Sequence, residues 1–97
     1  MTLQKDPEGF EKKILHKYVD FGNQRVLEIG CGEGRLTWKY ASASDMTVGI
    51  DLDQDALRIA QADSLELHGH VQFTRASAKY IPFSNNTFDI AILAWSL

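Results

Sequence analysis

The sequence predicts an α/β fold, a parallel sheet flanked by helices, on three observations. Short apolar runs alternate with segments of helical periodicity from Arg25 to the C-terminus. A glycine cluster, Gly30-Cys31-Gly32-Glu33-Gly34, separates the first apolar run from the helical segment that follows. An acid, Asp51, closes the second run about twenty residues beyond that cluster. Strands that alternate with helices imply right-handed crossovers and a parallel sheet.

Phe10, Ile14, Tyr18 and Phe21 recur at helical spacing and predict an amphipathic helix from about Glu8 to Asp20, ended by the turn Gly22-Asn23. Arg25 to Ile29 (RVLEI) is the first strand. After the glycine cluster, Leu36, Tyr40 and Ala41 are expected on one face of a second helix. Met46 to Ile50 (MTVGI) is the second strand, running into Asp51. Asp53 is placed to cap the next helix, whose apolar side is Ala56, Leu57, Ile59 and Ala60. Val71 to Thr74 is the third strand. Phe88 to Trp95 (FDIAILAW) is the fourth, and it reads as buried on both faces. The chain thus divides into an N-terminal helix, residues 1–22, and an α/β core, residues 23–97.

With 97 residues there is room for at most one domain. The net charge of -3 disfavours phosphate backbones and anionic membranes, so no nucleic-acid or membrane partner is expected. The single cysteine, Cys31, excludes an internal disulfide and fits a reducing, cytoplasmic setting. The start MTLQKDPEGF lacks the apolar run of a signal peptide, and no stretch has the apolar length of a membrane span. His16, His68 and His70 have no metal-ligand spacing and are expected at the surface. Trp38 and Trp95 are expected to pack, and Lys12-Lys13 to lie on a solvated helix face.

Glycines between a strand and a helix permit a tight turn with positive φ and bring the bare backbone close to a ligand. They also simply make turns. The loop N–H groups and the following helix N-terminus are expected to form a site for an anionic group. Asp51 changes the weighing, because a carboxylate at that strand end accepts hydrogen bonds from both hydroxyls of a ribose. Asp53 suits the capping role, which leaves Asp51 for the ribose. A dinucleotide fingerprint, G-x-G-x-x-G, requires glycine where Arg35 stands; the glycines run G-x-G-x-G instead.

VLEIGCGEGRLT, Val26 to Thr37, resembles the first motif of class I S-adenosylmethionine-dependent methyltransferases. VGIDLD, Val48 to Asp53, resembles their second motif. Ala78 to Leu97 resembles the family stretch A-x-x-L-P-F, a polar turn, F-D and an apolar strand. The likeness is strongest to small-molecule methyltransferases related to ubiquinone and menaquinone biosynthesis enzymes.

The resemblance implies a Rossmann-like fold, S-adenosylmethionine as cofactor, and a small-molecule methyl acceptor whose identity the sequence does not give. It implies that Gly30, Cys31 and Gly32 lie against the methionine moiety, with Cys31 a small filler. Glu28 would orient the cofactor's amino group, or alternatively hold loop N–H groups. Asp51 would bind the ribose and Leu52 would pack on the adenine. Ala78 would offer its backbone to the adenine edge, and Ser77 stands where the family often has an acid. Ala94 lies where strand carbonyls face the cofactor. No catalytic acid or base is evident; methyl transfer is an in-line displacement that positioning alone accelerates.

Class I methyltransferases usually continue beyond the fourth strand, so the resemblance implies a domain truncated at Leu97 and inactive by itself. The alternative function is a non-catalytic module that keeps the fold; a nicotinamide-dependent oxidoreductase is disfavoured by Arg35. An uncovered fourth strand is expected to pair two chains antiparallel into a homodimer.

Overall fold

The computed structural model describes residues 10–64, 70–84 and 86–94. In chain order it contains helix α1 (Phe10–Tyr18), strand β1 (Arg25–Ile29), two short 3-10 turns (Thr37–Lys39 and Ala41–Ala43), strand β2 (Met46–Asp51), helix α2 (Gln54–Ser64), and strands β3 (Val71–Arg75) and β4 (Ile90–Leu93). The four strands form one sheet in the order β3-β2-β1-β4, and every pairing is parallel. The chain steps outward from β1 to β3, then returns to lay β4 on the other side of β1. That reversal opens a crevice beyond the carboxyl ends of β1 and β4, where ligands bind in sheets of this kind.

Beside β1 the sheet is covered on both faces. Val26 packs with Phe21 and Tyr40 on one side, while Leu27 packs with Val48 and Ile50 on the other. Glu28 shares Val26's side by strand alternation and is fully buried. At the opposite end of the strands, Arg25 and Asp89 clamp β1 to the start of β4. The Arg25 N–H and Nε donate to Asp89 Oδ2 at 2.9 and 3.2 Å, and the Asp89 N–H donates to the Arg25 carbonyl at 2.8 Å. The F-D pair of the third motif therefore has a structural task, fixing the β1–β4 register.

Five details differ from the expectations above. The predicted N-terminal helix is described only over Phe10–Tyr18, and Phe10, Ile14 and Tyr18 are exposed. Leu15 and Val19 supply the packed side instead, because the helix ends before Phe21 and that ring enters the core from the following loop.

The segment after the glycine loop is two 3-10 turns rather than a helix with Leu36, Tyr40 and Ala41 on one face. Tyr40 belongs to the cluster around Phe21, whereas Ala41 packs with Leu57 and Phe73. Three residues per turn align Thr37 with Tyr40, and both hydroxyls reach the same buried carboxylate.

Asp53 caps α2 as predicted, accepting from the N–H groups of Asp55 and Ala56 at 3.0 and 3.1 Å. The buried side of α2 is Leu57 and Ala60; Ile59 is exposed, because at about 3.6 residues per turn it lies about 100° round the helix from Ala60 and about 160° from Leu57, off the buried face. His70, expected at the surface, is half-buried with its Nε2 2.9 Å from the Ala41 carbonyl.

Strand β4 is not buried on both faces: Ile90 and Ile92 pack toward the Phe21 cluster, while Ala91 and Leu93 are exposed. Among the described residues β4 pairs with β1 alone. The predicted strand also included Trp95, which lies outside the described residues, as does His68. Sedimentation over a concentration series tests the antiparallel pairing of two chains; a monomer throughout removes it.

Candidate functional site

Two adjoining clefts open at the carboxyl ends of β1, β2 and β4. The larger, about 360 Å³, is lined by Glu28, the glycine loop, Asp51 and Ala94, with Arg35 and Leu36 beyond the loop. The smaller, about 200 Å³, is lined by Ile29, Ile50, Leu52, Ala76 and Ala78. Gly30 and Asp51 line both, so the two clefts meet at the end of β1 and β2.

The loop's shape follows from its glycines. Gly30 has φ +79°, and a Cβ there would stand 2.6 Å from the Ala94 carbonyl oxygen. Only glycine lets the loop pass the end of β4. Gly32 has φ +56°, and a Cβ there would meet no atom within 4 Å, because the position faces open space.

The loop's N–H groups are largely spent on the fold. Gly30 and Cys31 donate to the Ile50 carbonyl at 2.8 and 3.1 Å, Gly34 donates to the Cys31 carbonyl at 3.0 Å, and Gly32 donates to Asp51 Oδ2 at 2.8 Å. The expected anion site on these groups and a helix N-terminus is therefore corrected: four of the five are occupied internally, and a 3-10 turn stands where the helix was expected.

Asp51 ties the strand end to the loop. Its Oδ1 accepts from the Asp53 N–H at 2.8 Å, while its Oδ2 holds Gly32. A carboxylate has about four acceptor positions, so two backbone bonds leave acceptor capacity on a side chain that lines both clefts.

Glu28 is the unusual group. It is 0% exposed, and its Oε1 accepts from Tyr40 Oη at 2.6 Å and Thr37 Oγ1 at 2.8 Å. Its Oε2 has no hydrogen-bond partner. A buried acceptor without a partner costs about 1–3 kcal/mol, more when charged. Burial pushes the Glu28 carboxyl above its ordinary range, opposed by the Tyr40 and Thr37 hydroxyls and by the charge of Arg35. Burial also raises Tyr40, further increased by the neighbouring Glu28. Glu28 does not hold loop N–H groups; Gly32 is held by Asp51 instead.

Burial pushes the Cys31 thiol up to about 12, with Glu28 and Asp51 adding to the rise. It stays protonated at neutral pH and is no nucleophile. Leu52 is exposed at the mouth of the smaller cleft, and Ala78 lines the same cleft. Ala94 lines the larger one, with its N–H bonded to the Ile29 carbonyl at 2.8 Å.

Ser77 lines neither cleft; its Oγ accepts from the Lys79 N–H at 3.1 Å and shapes a turn. The structure thus brings together every expected site residue except Ser77. Sequence reasoning missed Thr37 and Tyr40, which hold Glu28, and Arg35, which it treated only as a missing glycine. Among the described residues no group of histidines, cysteines or acids is arranged to hold a metal, and no helix is long and apolar enough to cross a membrane.

Residues 26–97 match the family model of a methyltransferase domain. The chain is 30% identical to the O-methyltransferase rstn1 of Aspergillus nomiae, over 99% of this chain and 44% of that protein. It is 37% identical to the ubiquinone/menaquinone biosynthesis C-methyltransferase UbiE of Ectopseudomonas mendocina, over 75% of this chain and 30% of that protein. The chain thus spans less than half the length of these relatives. Its fold matches phosphoethanolamine N-methyltransferase 1 of Haemonchus contortus, solved with phosphoethanolamine and S-adenosylhomocysteine. The TM-score is 0.80 at 19% identity, over 92% of this chain and 19% of that one.

Proposed function

The chain belongs to the class I S-adenosylmethionine-dependent methyltransferase family, and on that premise we propose that it forms the cofactor-binding half of a small-molecule methyltransferase. The carrying observation is Glu28, a fully buried acid with one oxygen unpartnered, lining a cleft at the switch point of the sheet. Such an atom needs a donor, and the ammonium of S-adenosylmethionine is one.

The remaining residues fit the same ligand. Asp51 has acceptor capacity for the ribose hydroxyls where the two clefts meet. Leu52 and Ala78 give the smaller cleft an apolar wall for the adenine. Gly30, Cys31 and Gly32 offer bare backbone and a small side chain beside the methionine moiety, and the Ala94 backbone borders the same cleft. Ser77 is left out, because its hydroxyl serves the turn. The bound cofactor supplies an electrophilic methyl group on a sulfonium. This chain's part is to hold that group in place; the names of the relatives support a small organic acceptor.

Calorimetric titration of the chain with S-adenosylmethionine, S-adenosylhomocysteine and NAD tests the reading. Binding of the first two and not of NAD is expected; NAD binding alone would overturn it. Asp51→Ala is expected to weaken S-adenosylmethionine binding, since a charge-assisted hydrogen bond is worth about 1.5–3 kcal/mol, a factor of about ten or more. Unchanged affinity in a folded Asp51→Ala variant removes Asp51 from the ribose.

A further inference from the structure

The glycine loop has little to give an anion, because four of its five N–H groups are bonded within the fold. Yet a ligand with an α-amino acid end brings a carboxylate beside its ammonium. Among the described residues lining the larger cleft, Glu28, Glu33, Asp51 and Asp53 are acids and Arg35 is the one cation. A carboxylate entering this cleft would be repelled everywhere except at Arg35.

Arg35 is held for such a role. Its side chain is 64% exposed, and its Nη1 stands 2.6 Å from Glu11 Oε1 on α1. The same Glu11 oxygen lies 3.6 Å from Lys39 Nζ. Glu11 thus lies within ion-pair distance of two cations, of which Arg35 lines the cleft. A guanidinium carries five N–H donors in a planar fork, so a bond from Nη1 to Glu11 leaves donors for a second carboxylate. Arg35 also lies close enough to Glu28 for its charge to favour that acid's ionised form. Both groups line the larger cleft, with opposite charge. An α-ammonium and an α-carboxylate, borne on one carbon, need that pairing.

We infer that Arg35 binds the carboxylate of the cofactor's amino acid end, and that Glu11 on α1 is the positioning residue that holds its guanidinium at the cleft. This rests on the function proposed above. Three probes separate the two claims: S-adenosylmethionine, its decarboxylated analogue, and 5′-methylthioadenosine, which lacks the amino acid end altogether.

Titrated against the full chain, Arg35→Gln is expected to weaken S-adenosylmethionine about tenfold or more, the value of a charge-assisted bond. It should leave decarboxylated S-adenosylmethionine and methylthioadenosine within about twofold. Arg35→Lys should recover part of the loss, because it restores the charge without the fork. Glu11→Gln should weaken S-adenosylmethionine less than Arg35→Gln, again sparing the other two ligands. Equal losses for all three ligands, or no loss for S-adenosylmethionine, would overturn the inference while the cofactor assignment stands. If the unaltered chain binds none of the three, the cofactor assignment fails and this inference falls with it.

Discussion

Gly32→Val should abolish cofactor binding in a chain that still folds, whereas Gly30→Ala, a smaller change two residues away, should lower the melting temperature more than Gly32→Val does. Both glycines have positive φ, so both substitutions carry left-handed strain of about 1–2 kcal/mol, somewhat more for a β-branched valine. The surroundings separate them. At Gly32 the new side chain meets no protein atom within 4 Å and projects into open space beside the larger cleft. At Gly30 the new Cβ stands 2.6 Å from a backbone oxygen, that of Ala94 at the end of β4. Neither backbone can swing aside as a side chain would.

Overpacking of that kind adds about 1–3 kcal/mol to the strain. A domain of this size has a total stability of only about 5–15 kcal/mol. Each kcal/mol lost lowers the melting temperature of a domain this size by about 4–8 °C. Thermal melting and calorimetry on the two variants decide the matter. A Gly32→Val chain that melts near the parent temperature and binds S-adenosylmethionine normally would show that this part of the cleft is not used. A Gly32→Val chain that is simply unfolded would make the glycine structural and withdraw its functional reading.

The contrast also shows what was legible beforehand. G-x-G-x-G after an apolar run identifies a loop of unusual backbone, and the acid at the end of the next run identifies where the second strand stops. Period and spacing carry that much, because they are local. They do not tell which glycine makes room for a strand and which makes room for a ligand, because Ala94 is 64 positions from Gly30 in sequence.

The same limit explains the misread segment after the loop. Leu36, Tyr40 and Ala41 have helical spacing, but the hydroxyls of Thr37 and Tyr40 are drawn to Glu28, and that tertiary demand selects 3-10 geometry. On α1 the apolar residues at 10, 14 and 18 form the clearer stripe, yet Leu15 and Val19 pack inward, and Glu11 and His16 make polar contacts to the chain beyond the loop. Arg35 was noticed only for the glycine it replaces; its place on the cleft wall depends on α1, which no motif describes.

Glu28→Gln should separate the two possible values of that buried acid, one for the fold and one for the ligand. Burial raises the folded-state pKa of Glu28 above its ordinary value near 4.5. The folded chain therefore holds this proton more tightly than the unfolded chain does. The stabilisation is fully present below the ordinary value and is lost as pH rises through the folded one. Glutamine keeps the side chain's shape and an oxygen that can accept from Tyr40 and Thr37, but it cannot ionise. The variant should lose this part of the pH dependence of melting and be at least as stable as the parent at pH 7. Binding should move the other way. The amide places an N–H donor where the parent has a free acceptor, which opposes an incoming ammonium. The loss of a charge-assisted bond then weakens S-adenosylmethionine about tenfold or more. Melting curves between pH 4 and pH 8, at about half-unit steps, read the first effect, and calorimetry at pH 7 reads the second. A variant that is destabilised at pH 7 and binds like the parent would make Glu28 a scaffold for Thr37 and Tyr40 alone. A variant more stable and less able to bind is expected, because the site keeps a buried acceptor unsatisfied until a cation arrives to meet it.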